Sequence, residues 1–423
     1  RNTKERGIKM NLRSNKAITL VALIITIIIL LILAGVSLSM ILGENGLINK
    51  AQSSVNAYQQ AAINEQNLLK SIEDYMGNFG LPENTPNTPA GTHVKPPAKW
   101  LGNMVDAVAD GKGNTIPIPK SFYYVGGDYT NGVIISDDPT DVYDGITDKT
   151  SWEYTTNLVG NQFVWIPCTV GEYHKTDWGS SYVNGGYDTE SGAGAEMMQI
   201  AKYSGFYVGR YEAGLADEIK EFTENQISNG TNTSGYNISG IPNIKAGKIP
   251  WIFINQKNAK KNAENMYSAS NYVTSGLLTG TQWDVMLNKL IGTTNESGLK
   301  FTQSDIINSV KWGNFMVNTV PYTGRAAITT IKNGEQYWTI QPFGVKTSGN
   351  TPTTTASEAN KSVLLTTGAS KTTEAYHTYD VAGNAWEWTE EIGNTVSHRV
   401  IRGGSYTQWD GGAKACYRYG ISK

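Results

Sequence analysis

From Ala17 to Gly43 the chain carries no charged side chain, and Ile18 to Leu33 contains only Ile, Leu, Val, Thr and Ala. A run of this length is enough to cross a bilayer as one helix, the form in which every backbone polar group is bonded within the segment. The flank before it holds Arg1, Lys4, Arg6, Lys9, Arg13 and Lys16 against Glu5, whereas Glu44 and Lys50 balance after it. Basic flanks stay in the cytoplasm, so the sequence predicts a single-pass protein of the cell membrane with its C-terminal domain outside. A cleaved secretory signal is the competing reading, but the apolar run is long for one and leads into more helix.

Residues 44–78 read as a second helix. Its apolar positions Ile48, Ala51, Val55, Tyr58, Ala62, Leu69, Ile72 and Met76 make a stripe broken only by Glu65, which asks for a partner, either the body of the same chain or another copy in a coiled-coil stalk. Residues 79–99 contain Pro82, Pro86, Pro89, Pro96 and Pro97, a composition expected of a semi-rigid extended linker. All eleven tryptophans lie at or after Trp100, so one folded domain is expected over 100–423.

Composition limits what that domain does. A net charge of −2 with 17% charged residues gives no electrostatic footprint for nucleic acid. Two cysteines, and four histidines (His93, His174, His377, His398) never spaced i, i+4, exclude a disulfide framework and make a structural zinc improbable. Short β-branched and aromatic runs, Phe122–Val125, Gln162–Pro167, Gly205–Tyr211, Trp251–Ile254 and Tyr337–Ile340, alternate with Gly, Asn and Asp turns and read as strands. Helices are expected over Asn255–Tyr267 and Thr281–Leu290, the second capped near Thr279 and burying Trp283, Met286, Leu287 and Leu290. Thr347–Ser370 reads as a loop. The fold class is therefore α+β, irregular, with many short strands and few helices, preceded by a long N-terminal transmembrane and stalk helix.

Two motifs stand out near the end: Asp380-Val381-Ala382-Gly383-Asn384-Ala385-Trp386-Glu387-Trp388, and Arg402-Gly403-Gly404-Ser405-Tyr406. Alternation puts Trp386 and Trp388 on one face and Ala385 and Glu387 on the other. The paired glycines read as a place of close backbone approach.

These motifs resemble the formylglycine-generating enzyme family, whose domain has a C-type-lectin-type fold. Phe163–Pro167, Phe206–Gly214 and Leu278–Asp284 extend the similarity across most of 155–420. The resemblance implies a structural calcium ion on the carboxylates of Asp380 and Glu387 and the carbonyls of Gly383 and Ala385; hard oxygen donors suit that ion. Pairing of Glu387 with Arg402 is the alternative. Active aerobic members hold copper(I) between two thiolates. Cys416 matches the second, but Thr407 to Lys414 contains no first, so Cys416 reads as a packed residue and is catalytic only if the protein is such an oxidase. The sulfoxide synthases related to the family need a histidine cluster, and none is visible in the sequence. Family members also end in a Gly-Phe-Arg strand, and the chain stops at Lys423 before such a triplet, so the resemblance implies a domain cut short there.

The tyrosine-rich segment Tyr406, Gln408, Trp409, Asp410, Lys414, Tyr417 and Tyr419 has the composition of a recognition surface, because Tyr and Trp give contact area at low rotamer cost. It also resembles the variable segment of lectin-fold proteins diversified by retroelements. The N-terminus in turn is similar to a type IV prepilin, with Ala17 ending a basic leader (1–17), Ile18 beginning the mature chain, and Ala22 where pilins carry an assembly glutamate. The expectation is a membrane-anchored, adhesin- or receptor-like protein that binds an extracellular protein or glycan. The alternatives are the copper oxidase and a minor pilin or pseudopilin that meets pilus components or itself through the stalk.

Overall fold

The computed structural model describes residues 23–30, 80–100, 106–145, 149–179, 193–216, 222–223, 239–318, 320–321, 325–332, 335–342, 363–393, 397–409, 412 and 414–422. The chain divides into two units, Arg1–Glu73 and Asp74–Lys423. In the first, residues 23–30 are helical, with exposed Leu and Ile side chains. Among the described residues no helix is long and apolar enough to cross a membrane, which overturns the expected fold class in its long N-terminal helix. Ala17, Ile18 and the stripe over 44–78 lie outside the described residues.

The second unit is built from short antiparallel strands. A hairpin pairs β1 (Asp106–Ala109) with β2 (Thr115–Ile118), and a four-stranded sheet runs in sequence order through β3 (Tyr123–Gly126), β4 (Ile134–Ser136), β5 (Gln162–Pro167) and β6 (Gly205–Gly209). Helix α1 (Ala193–Tyr203) precedes β6; its glycine-bearing start hid it from the sequence reading. Strand β7 (Phe222–Thr223) pairs with β9 (Glu335–Pro342), which also pairs with β8 (Arg325–Lys332). Helix α2 (Gln256–Asn265) is capped by Asn255. Helix α3 (Gly280–Leu290) begins with a capping box between Thr279 and Gln282. A short α4 spans Gln303–Ile307. Towards the end come the two-residue strands β10 (Glu374–Ala375) and β11 (Thr378–Tyr379), then a sheet of β12 (Glu387–Ile392), β13 (His398–Arg402) and β14 (Tyr419–Ser422).

The main core lies between the four-stranded sheet and α3. Val125, Ile134, Val164, Ile166 and Val208 meet Trp283, Met286, Leu287 and Leu290, joined by Phe301 and Trp312. The α3 face is the one its spacing predicted. Trp251–Ile254 forms no strand: Phe253 sits at φ +60, which ends any extended run.

The proline-rich stretch is no free spacer over residues 80–100. Val94 donates its N–H to the Ala107 carbonyl at 2.9 Å, and Ala109 donates to the Thr92 carbonyl at 2.9 Å, so the segment lies along β1. Val94 is fully buried with Trp100, Ala107 and Ala109. Proline favours extended backbone, and an extended segment can complete a strand edge where its N–H groups are not required.

The chain's last described residues pair antiparallel with β13, from Ile401 opposite Tyr419 to His398 opposite Ser422.

Candidate functional site

The Gly-Asn-Ala-Trp-Glu-Trp motif opens with a turn rather than a strand. Gly383 has φ +80 and Asn384 φ +56, and a Cβ on Gly383 would lie 2.3 Å from the Asn314 carbonyl oxygen, so only glycine fits. Asn384 earns its left-handed position through its buried amide. Its Oδ1 accepts from Asn314 Nδ2 and from the Leu365 N–H, both at 2.9 Å, and its Nδ2 donates to Glu212 Oε2 at 2.6 Å. The Ala385 N–H donates to the other Glu212 oxygen at 2.8 Å.

Three carboxylates face one another electrostatically around this turn. Burial, then the charges of Asp380 and Glu387, raise Glu212 well above the ordinary carboxylate range, with the Asn384 and Ala385 donors pulling back. Asp380 is pushed up to about 6 by burial, against hydrogen bonds from the Gly368 N–H (2.7 Å) and the Thr373 hydroxyl (2.7 Å). Glu387 is pushed up to about 8, first by burial and then by the charge of Asp380. The alternative partner for Glu387 is excluded. Arg402 Nη1 reaches Glu391 at 2.9 Å and Nη2 reaches Asp284 at 2.5 Å, with no bond to Glu387. The donors that meet Glu212 and Asp380 are amide groups and a hydroxyl, all neutral.

Whether calcium fits can be judged on the donors. Hard oxygens of Asp380 and Glu387, with carbonyls on the Gly383–Ala385 turn, are of the right kind. Glu212 is a third acid near the site that sequence reasoning passed over; an acid inside the apolar run Phe206–Gly214 was the available signal. Among the described residues no group of three or more His, Cys, Asp and Glu side chains is placed to hold a metal ion.

The rim divides into two parts. Tyr406 is half-buried against the cluster of Leu215, Ile249, Trp251 and Leu364. Trp409 is 56% exposed, Gln408 and Lys414 are half-buried, and Asp410 lies outside the described residues. Tyr417 and Tyr419 meet a ring the sequence reading had assigned to alternation alone. Trp386 lies 5.8 Å from Tyr417 and 6.0 Å from Tyr419, and the two tyrosine rings are 6.3 Å apart and 17° from parallel. This ladder remains partly open to solvent, with Tyr419 42% exposed. Trp388 is fixed differently, by an indole N–H to the Ile254 carbonyl at 2.7 Å.

Cys416 is 1% exposed within the main core, and burial pushes its thiol up to about 11. Cys168, in the same cluster, is pushed to about 12. Both are free thiols. A buried, protonated thiol is poorly suited to bind copper(I) or attack a substrate.

Comparison with protein-family models, with curated proteins and with solved structures finds no match for this chain.

Proposed function

We propose that the Asp74–Lys423 unit is a ligand-binding domain, similar to the C-type-lectin-like domains of the formylglycine-generating enzyme family, that recognises a partner through its aromatic rim and does not turn it over. The observation that carries this reading is the Trp386–Tyr417–Tyr419 ladder, in which Trp386–Tyr419 and Tyr417–Tyr419 are stacked and Trp386–Tyr417 is tilted, with Tyr419 exposed, and Trp409 exposed in the same segment of the chain. Aromatic side chains left partly exposed in such an array supply rigid contact area and are favoured as anchors of binding interfaces. The burial of Cys416 argues against the oxidase alternative.

In this reading the ligand is an extracellular protein or glycan, calcium at Asp380 and Glu387 steadies the turn that carries Trp386, and the protein sits at the cell membrane with this unit outside. The last point rests on the uncharged stretch Ala17–Gly43 and its basic flank, not on any described helix. Diversification of the rim by a retroelement belongs to the same reading, and sibling genes differing only in codons 406–419 would support it.

The test is a binding screen of the full chain on a glycan array and on displayed peptides, followed by Trp386→Ala with Tyr419→Ala on the best hit. Loss of binding by tenfold or more is expected. Undiminished binding by a folded double variant would remove the rim as the recognition surface.

A further inference from the structure

Four buried charged side chains close a ring at the base of the rim. Asp284 on α3 takes Arg402 on Oδ1 and Arg418 on Oδ2, while Trp178 Nε1–H (3.0 Å) and the Thr176 N–H (3.1 Å) fill the remaining acceptor positions. Glu391 on β12 takes Arg402 Nη1 at 2.9 Å, with Arg418 Nε 3.2 Å and Lys175 Nζ 3.0 Å from its other oxygen. Each arginine therefore bridges the same two carboxylates. Arg402 ends β13 and Arg418 immediately precedes β14, so they bracket residues 403–417, the part of the rim that precedes Tyr419.

Between them, bonds from main-chain atoms of the segment hold it to the body. The Tyr406 N–H donates to the Asn384 carbonyl at 2.9 Å and the Met316 N–H to the Gln408 carbonyl at 3.2 Å. Trp283 Nε1–H donates to the Ala415 carbonyl at 3.0 Å, and the Ala415 N–H donates to Ser309 Oγ at 2.9 Å. Main-chain bonds do not depend on side-chain identity.

We propose that Arg418, held with Arg402 on Asp284 and Glu391, is a positioning residue of the rim: the shared carboxylates fix both ends of residues 403–417, so the place of the rim is set beneath it and not by the side chains it displays. Buried ion pairs are weak sources of stability, and their attested use is to select one arrangement. The inference rests on the reading of the rim as a ligand surface, yet its test is separate, because a rim held in this way that binds nothing would end that reading and leave this one standing.

Hydrogen exchange on the full chain decides it. Arg418→Met is expected to speed exchange of the 405–417 amides at least tenfold while the β3–β6 amides keep their protection, and Arg418→Lys, which keeps one charge near both carboxylates, to recover part of that loss. Unchanged exchange over 405–417, or an equal rise in both regions, overturns the proposal. Should Arg418→Met not fold, a chain with Gln408→Ser, Trp409→Ser and Lys414→Ser together decides: retained protection at Tyr406 and Ala415 supports the proposal, and its loss overturns it.

Discussion

Glu387 and Arg402 stand opposite each other across β12 and β13, yet they form no ion pair. The guanidinium is taken by Glu391 and Asp284, and Glu387 is left among acids. Cross-strand partners of opposite charge ordinarily attract. Here two other carboxylates, both fully buried, each take one guanidinium nitrogen in a charge-assisted hydrogen bond, and they win.

Calcium should therefore stabilise the protein. Thermal unfolding in millimolar calcium against a chelator is expected to show a higher midpoint with calcium, since a ligand at a hundred times its Kd adds about 2.7 kcal/mol. Glu387→Gln should abolish the difference. An identical midpoint in both buffers would dismiss the ion.

Stability should fall as pH rises through the range between pH 4.5 and 7. Burial pushes Glu374 up from 4.5 to about 7, only partly offset by the N–H groups of His377 (2.6 Å) and Glu296 (2.8 Å). A raised folded-state value means the folded protein binds the proton more tightly. The contribution is then intact below the unfolded value and is lost as pH climbs to the folded one, by up to about 3 kcal/mol. Urea midpoints measured with chelator at pH 5, 6, 7 and 8 check the sign; a midpoint that climbs from 5 to 7 would contradict it.

Trp312 and Trp409 should behave as opposites. Trp312 is fully buried, edge-on to Phe301 at 4.9 Å, and its indole N–H donates to the Asp305 carbonyl at 2.9 Å. Trp312→Ala should cost about 3–5 kcal/mol in chemical denaturation, and Trp409→Ala less than about 0.5 kcal/mol. Comparable losses would mean that Trp409 packs in solution.

Cys416 should be inert while the protein is folded. Iodoacetamide at pH 8 is expected to leave it unmodified in buffer and to label it fully in denaturant, because the thiol is buried and pushed up to about 11. Rapid native labelling, or tight copper(I) uptake lost in Cys416→Ala, would restore the oxidase reading.

Local chemistry made several parts of this protein legible in advance. Gln162–Pro167 is the strand its composition indicated, and α3 begins at the threonine cap and buries the face its spacing marked. These depend on side chains within one turn or one strand of each other. The proline-rich stretch was misread because a sequence does not show which strand edge is vacant beside it. For the N-terminal run, no helix among the described residues is long and apolar enough to cross a membrane.

At the candidate site the sequence by itself supplied residue types that accept positive φ, Gly383 and Asn384, and a tyrosine-rich segment that includes Tyr417 and Tyr419. Only the tertiary structure decided what stands beside them. Glu212 is 172 residues from Asn384, Trp386 meets rings from another strand, and Arg402 and Arg418 choose among carboxylates on α3 and β12. Charge and aromaticity belong to a residue, but pairing depends on distance and burial, and those exist only once the distant segments have been folded against one another.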